Sequence, residues 1–379
     1  MNKAVIVIPW SPWHPAGVSV VVRNIMAESE AIGVKAILCQ DNWEFRSGGR
    51  DVEGVLCLRF GLLGGVGFIP FLKSLISAPI QLIIVARWLR QNDVSAVNFH
   101  YVGLGGLSVA LLKFLRVFRG RFVLSFHGTD LKLPESIAGR YLYRFMVRNA
   151  DTITFCSHSL ANRARLLFGQ DVDRFEIIYN GVDVNVFRPG IKKSSDLPEK
   201  YLVQVGSFDI RKRQFFLLDA FSRIASLYHD LSLVLIGMDG PERMRIEKFA
   251  EELGLADRVV IRTNLDSSSV ARIVSNAFFC VQPSSAEPFG IAVIEAGACG
   301  VPVIASRVDG HLETIEEGVD GLLFTVDNVD ACVKAMRRFL DDDRFRESLG
   351  SSFYNKIVRD FRWSQCAHRY FELLNELRE

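Results

Sequence analysis

The 379-residue sequence predicts an α/β protein of two doubly wound, Rossmann-like domains facing each other across a cleft. Three observations carry that prediction. The chain is longer than one hydrophobic core usually supports, so it divides. Short β-branched runs alternate with longer helical patterns in both halves, the pattern of parallel sheets flanked by helices. Between Arg188 and Lys200, Pro189, Gly190, Pro198 and a cluster of Lys and Ser interrupt both periodicities. The expected division is 1–190 for an N-terminal domain and 191–354 for a C-terminal domain, with a last helix over about 355–379.

In the first half the strands expected are Ala4–Ile8, Val34–Cys39, Val55–Arg59, Ala96–His100, Phe122–Phe126, Thr152–Cys156 and Glu176–Tyr179. In the second they are Tyr201–Val205, Ser232–Ile236, Val259–Arg262, Phe278–Gln282, Val301–Ala305 and Gly321–Phe324. Helical spacing marks Arg213–Leu227, Glu242–Leu253 and Asp330–Leu340. Phe353, Ile357, Phe361, Tyr370, Leu373 and Leu374 give Ser351–Leu377 one apolar helical face.

Composition narrows the class. An apolar content of 49% is that of a globular protein. The seven cysteines are odd in number, scattered, and never as close as C-x-x-C, so the sequence indicates neither a zinc site nor a disulfide frame. Buried free thiols and a reducing cytoplasmic setting are expected. The first apolar run ends at Pro9, too short for a secretory leader. The stretch Gly61–Ala86 is broken by Pro70, Lys73 and Pro79, so no membrane span is expected. Residues 1–190 carry 21 basic and 14 acidic side chains, and the remainder 24 and 29. The basic first half suits an anionic surface or acceptor, with ordinary scatter of solvated charge as the alternative. The sheets lack the aromatic and basic interleaving of nucleic-acid binders.

The most informative segment is E-P-F-G-I-A-V-I-E, bounded by Glu287 and Glu295. Gly290 permits close approach of backbone to a ligand, and the apolar run from Ile291 reads as a helix start whose amides suit an anion. Two acceptor-only carboxylates beside an anion site fit hydroxyl groups, so a ligand with both phosphate and sugar follows. Every other notable motif also lies just after a predicted strand, where open α/β sheets bind ligands. They are Pro15–Ser19, His127-Gly128-Thr129-Asp130, Val205-Gly206-Ser207 with the basic Arg211-Lys212-Arg213, and Ile236-Gly237-Met238-Asp239-Gly240. Asp130 is expected to cap the following helix. The remaining histidines, His100 and His311 among them, have no context that argues for a role.

In this order, and with Asn180-Gly181-Val182-Asp183 closing the first half, these motifs resemble the Glu-x7-Glu glycosyltransferases of the two-domain GT-B fold, family 4 (group 1). The resemblance implies a retaining, metal-independent, hexosyltransferase-type enzyme with no cofactor, whose domain 1–190 binds the acceptor, whose domain 191–354 binds the nucleotide-sugar donor, and whose last helix, about 355–379, packs back on the first domain. Its co-substrate would be a UDP- or GDP-linked sugar, and its acceptor a glycan or lipid-linked glycan in cell-surface or exported polysaccharide synthesis. It implies that Glu295 binds the ribose hydroxyls and that Glu287 lies by the donor sugar. Phe289, Gly290, Ile291 and Ala292 would offer amides to sugar or phosphate, and Lys212 and Gly206 would sit at the diphosphate. His127 would bond a sugar hydroxyl near the reaction centre. Gly17 and Val18 belong to the first loop, at acceptor or phosphate.

One departure stands out. The family usually has Arg directly after Val-Gly, where this chain has Ser207, and Arg211 or Arg213 is the nearest substitute. Ser207 supports one rival reading, a degenerate non-catalytic nucleotide-sugar-binding partner subunit. Glycoside hydrolysis would use paired carboxylates but leaves Lys212 without purpose. A sugar-nucleotide epimerase shares the architecture without the motif context. The apolar stretch between Phe60 and Arg90, followed by Lys113, Arg116, Arg119 and Arg121, suggests peripheral membrane contact on the cytoplasmic face; two core helices are its alternative.

Overall fold

A computed structural model describes residues 3–14, 16–41, 50–52, 55–62, 68–172 and 174–375. Pro15 in the expected first loop, residues 63–67 of the apolar stretch, and residues 376–379 of the expected last helix lie outside the described residues. The chain forms two compact units, Met1–Tyr179 with Trp363–Glu379, and Asn180–Arg362.

The first unit is built on β1 (Lys3–Ile8), β2 (Lys35–Asp41), β3 (Arg50–Val52), β4 (Val55–Leu58), β5 (Val94–His100), β6 (Arg121–Phe126), β7 (Thr152–Phe155) and β8 (Phe175–Ile177). Their spatial order is β3-β4-β2-β1-β5-β6-β7-β8. All pair in parallel except β3 with β4. Ala4 through Ile8 are fully or almost fully buried, as expected of a central strand covered on both faces. The antiparallel edge strand β3 is an addition to the predicted set: three residues carry too little periodicity to be read. The chain leaves β1 towards β2 and later returns to β5 on its other side, so the switch point lies between β1 and β5.

The second unit holds β9 (Lys200–Val205), β10 (Leu231–Gly237), β11 (Val259–Thr263), β12 (Phe279–Gln282), β13 (Val303–Ser306) and β14 (Leu322–Phe324) in the order β11-β10-β9-β12-β13-β14, with every pair parallel. Here the switch lies between β9 and β12. Leu202, Phe208, Leu217, Phe221, Leu233 and Phe279 belong to its continuous core. All seven cysteines are buried, as the sequence suggests, and none forms a disulfide.

The expected single terminal helix is two, Asp343–Asp360 and Trp363–Asn375. They belong to different units. At the break the Phe361 carbonyl accepts the Val182 amide hydrogen at 2.8 Å. The expected boundary at Gly190 falls within the second unit, where Pro189 lies 3.5 Å from where a Gly300 side chain would begin. The helix Trp363–Asn375 packs on Gly17–Ala31 of the first unit. The apolar stretch before Arg90 forms one helix, Phe68–Gln91, with Pro79 inside it.

Behind the segment Glu287–Glu295, the helix Ile291–Ala298 rests on Asp343–Asp360. A β-carbon at Gly297 would stand 2.7 Å from Phe353 and Ile357, both fully buried. Truncating Phe353 to Ala should therefore destabilise the second unit by about 3–5 kcal/mol, measured by urea unfolding. A loss below about 1 kcal/mol would show that this contact does not support the helix.

Candidate active site

Two loops meet at the switch point of the second unit. After β9 the chain passes Gly206 and Ser207, makes the short turn Ile210–Lys212, and enters the helix Gln214–Ala225 through Arg213 in the left-handed region at φ +59°. Left-handed backbone is costly for arginine and marks a conformation imposed by its surroundings. The Lys212 carbonyl accepts from the Gln204 amide at 2.6 Å, which ties the turn back to its own strand. Gly206 leaves room for the lysine stem, whose methylenes would lie 3.1–3.4 Å from a β-carbon there. Gly237, at the end of β10, is needed for the same reason: a β-carbon would fall 2.0 Å from the Gly206 carbonyl oxygen.

The loop after β12 carries Glu287. The Ser285 amide donates to the Arg211 carbonyl at 2.9 Å, and the Gly310 amide donates to the Glu287 carbonyl at 2.9 Å. The Glu287 backbone is thereby fixed from the loop after β13, while its neighbour Ser285 joins the loop after β9. Across this junction Lys212 Nζ donates to Glu287 Oε2 at 2.6 Å. The Ser284 hydroxyl donates to the same oxygen at 3.4 Å. Burial pushes the Glu287 carboxyl up, but the adjacent Lys212 ammonium, His311 and the Ser284 hydroxyl together hold the group below its usual range.

Gly290 opens the helix Ile291–Ala298 at φ +98°, a conformation that glycine adopts without strain. The first-turn amides of Ile291 and Ala292 have no acceptor four residues back and stand at a helix N-terminus. Both residues are half-buried, whereas the Phe289 side chain is buried. Glu295, also half-buried, lies one turn further along the helix. Burial alone pushes its carboxyl up to about 8. The two glutamates of one motif thus titrate in opposite directions, one because a cation faces it and one because none does.

Both proposed substitutes for the family arginine bind carboxylates outside this pair. Arg211 binds Asp209 through Nε and Nη2 at 3.2 and 3.1 Å, and Ser207 Oγ donates to the same carboxylate at 2.6 Å. Arg213 pairs with Asp327. Ser207 and Arg211 are therefore joined through a carboxylate that the sequence reading passed over.

His311, which the sequence left without a role, is buried near Glu287. Its Nδ1 lies 2.9 Å from the Ser306 carbonyl, and its Cδ2 lies 3.2 Å from where a Gly290 β-carbon would begin. The signal available was its position just after β13, at the same end of the sheet as the other motifs.

In the first unit, Gly17 and Val18 head the helix Gly17–Ala31, beside the β1–β5 switch point. His127 follows β6, half-buried, with Nε2 at 3.0 Å from Nδ1 of the fully buried His100. Burial lowers the His127 imidazole to about 4 and His100 well below the usual range. Asp130 is not a helix cap: Ser136 caps the next helix. Asp130 instead accepts the amide hydrogens of Val102, His127 and Gly128 at 2.7–3.2 Å, fastening the loop after β6 to the loop after β5. Among the described residues, no group of three or more His, Cys, Asp or Glu is placed to hold a metal ion.

Comparison with known proteins agrees with this architecture. Residues 15–186 match Glycosyltransferase Family 4, and residues 188–356 match Glycosyl transferases group 1. The chain is 28% identical over 293 residues to N-acetyl-alpha-D-glucosaminyl L-malate synthase of Bacillus anthracis, covering 76% of each chain. It is 30% identical over 286 residues to an uncharacterised glycosyltransferase of Methanocaldococcus jannaschii, covering 71% of this chain and 70% of that one. The crystal structure of Anabaena HepE in complex with UDP and glucose shares the fold over 100% of both chains, with a TM-score of 0.77 at 18% identity. With both units matched and their sheets in GT-B order, this chain belongs to glycosyltransferase family 4 (group 1) and is a glycosyltransferase of the two-domain GT-B fold.

Proposed function

We propose that this glycosyltransferase takes its sugar from a uridine or guanosine diphosphate donor and transfers it with retention of anomeric configuration. The acceptor would be a glycan or lipid-linked glycan of a cell-surface or exported polysaccharide. The observation that carries the reading is the Lys212–Glu287 pair at the β9–β12 switch, in the loop that leads into the helix Ile291–Ala298 carrying Glu295. The similar HepE fold holds UDP and glucose.

Lys212 supplies a cation to the departing diphosphate, and the amides of Ile291 and Ala292 supply oriented dipoles. Phe289 and Gly290 shape the approach to those amides, and Gly206 and Ser207 line the turn that presents Lys212. Glu287 accepts hydroxyls of the donor sugar and offsets positive charge developing at its anomeric carbon. Once phosphate engages Lys212, that carboxylate shares its cation with the leaving group. Glu295 accepts the ribose hydroxyls. Arg211 holds Asp209 and thereby the shape of the turn. In the first unit, His127 bonds a sugar hydroxyl, and Gly17 and Val18 serve the acceptor or phosphate. Attack occurs on the face from which the diphosphate leaves, with no bound metal required.

A second surface favours peripheral membrane contact. Ile76, Ile80 and Ile83 are 73%, 63% and 53% exposed at spacings of four and three, one stripe of the helix Phe68–Gln91. The neighbouring helix Leu107–Phe114 leads into exposed Leu115, Arg116 and Val117. Apolar side chains beside a cation suit the headgroup region of an anionic bilayer. No helix among the described residues is long and apolar enough to cross a membrane.

Calorimetry of UDP and GDP in the presence of chelator tests the donor site. One diphosphate should bind in the micromolar range, and Lys212→Ala and Glu295→Ala should each weaken it at least about tenfold, or about 1.4 kcal/mol. Because Glu295 is mostly protonated at pH 7 and ribose hydroxyls favour its ionised form, binding should release a proton in wild type but not in Glu295→Ala. Unchanged affinity in both variants would overturn the site assignment, and binding only with added divalent cation would overturn metal independence. With the donor identified, NMR of the product should show the anomeric configuration of the donor; the inverted anomer would refute retention. Vesicles containing anionic lipid should sediment the wild-type protein and release an Ile76→Asp/Ile80→Asp variant. Equal sedimentation of both would remove the membrane surface.

A further inference from the structure

A line of buried polar side chains crosses the sheet of the first unit beneath its last helix. Asn98 and His100 on β5, Ser125 on β6 and Thr154 on β7 are all fully buried. On the helix Trp363–Asn375, the buried Tyr370 hydrogen-bonds with Thr154 and Ser125 through its hydroxyl. Its ring lies 5.2 Å from that of His100. Such groups are tolerated in a core only when each finds a partner, and here each is partnered by the next. The line ends at His127, whose ring lies edge to edge with that of His100, centroids 5.2 Å apart and planes within 22°.

The line has a direction. Thr154 Oγ1 donates to Ser125 Oγ at 2.8 Å, and Ser125 Oγ donates to Asn98 Oδ1 at 2.8 Å. With its carbonyl oxygen engaged, the Asn98 amide turns Nδ2 to His100 Nε2 at 3.0 Å. An amide nitrogen only donates, so His100 Nε2 accepts and the neutral ring carries its proton on Nδ1. That proton faces His127 Nε2 at 3.0 Å, so this nitrogen accepts in turn. A proton on His127 Nε2 would set two N–H groups against each other. Reversal would require turning the Asn98 amide and the hydroxyls behind it together.

We propose that Asn98 and His100 are positioning residues that hold His127 as a neutral imidazole protonated on Nδ1, so that it meets its ligand as a hydrogen-bond donor and not as a base. Nδ1 of His127 has no hydrogen-bond partner among the described residues, and the residue is half-buried, which leaves that N–H for an oxygen of the ligand. The low titration of both imidazoles, caused by burial, keeps the arrangement in place at neutral pH. The ligand group fitted by a neutral donor is a sugar hydroxyl or ring oxygen. Only that last identification rests on the transferase reading above.

Nitrogen-15 NMR of the full chain labelled at histidine tests this without any ligand, so its outcome is separate from that of the transferase reading. The His127 resonances are assigned by their loss in His127→Gln. Wild type should show His127 Nδ1 at a protonated, pyrrole-type shift and Nε2 at an unprotonated, pyridine-type shift. His100→Phe removes the donor and should give shifts averaged between the two tautomers. His100→Gln, whose amide can again donate, should restore the Nδ1–H form. A wild-type His127 protonated on Nε2, or averaged between tautomers, overturns the proposal, as does an unchanged tautomer in His100→Phe. With His127 assigned, the wild-type spectrum decides the matter even if a His100 variant does not fold.

Discussion

An ammonium and a carboxylate held 2.6 Å apart and largely out of water require two chain segments to be fixed with little freedom. Lys212 and Glu287 meet because β9 and β12, distant in sequence, are neighbours in the second sheet. The chain leaves β9 towards one edge and returns to β12 on the other side, so the loops that follow them open at the same place. Neither charge is comfortable there without the other. Burial raises a lone carboxyl, and the facing ammonium, with His311 and the Ser284 hydroxyl, reverses the direction for Glu287. Glu295, without such a partner, is pushed up to about 8. Such pairs generally contribute little to stability.

The surroundings of that pair are set by backbone. Gly290 turns the chain into a short helix whose first amides lie next to Glu287. Gly206 and Gly237 let two strand ends approach more closely than side chains would permit. Amide bonds from Ser285 and Gly310 fix the Glu287 loop on both sides. From behind, Phe353 and Ile357 fill the space that Gly297 leaves. The charged groups are mobile side chains by nature; it is this packing that removes their freedom.

The first unit reaches a similar end by other means. Its sheet is apolar through β1, but β5, β6 and β7 carry Asn98, His100, Ser125 and Thr154 on positions a core would normally fill with Val or Ile. Tyr370, delivered by the last helix, closes the far end of the line. Asp130 fastens the near end by gathering three amides. A histidine between these anchors is fixed in both position and protonation.

Much of this was legible in the sequence. The strands of both sheets appear as β-branched runs because apolar periodicity is a local property, and Glu287, Lys212, Glu295 and His127 could be singled out by their places after strands. Other features could not be read. The short edge strand β3 has no period. The break at Phe361 depends on which unit each half of the last segment joins. Asp209 belongs to no motif, and its carboxylate is singled out only by its contacts with both Ser207 and Arg211. His100 and His311 had no motif, since their partners come from other strands. The sequence by itself determined the elements, the family and the residue types at the site, because these reside in local pattern and motif order. Only the tertiary structure decided which carboxylate is charged, which arginine is engaged and which histidine nitrogen faces outward, because each depends on partners brought together across the sheets.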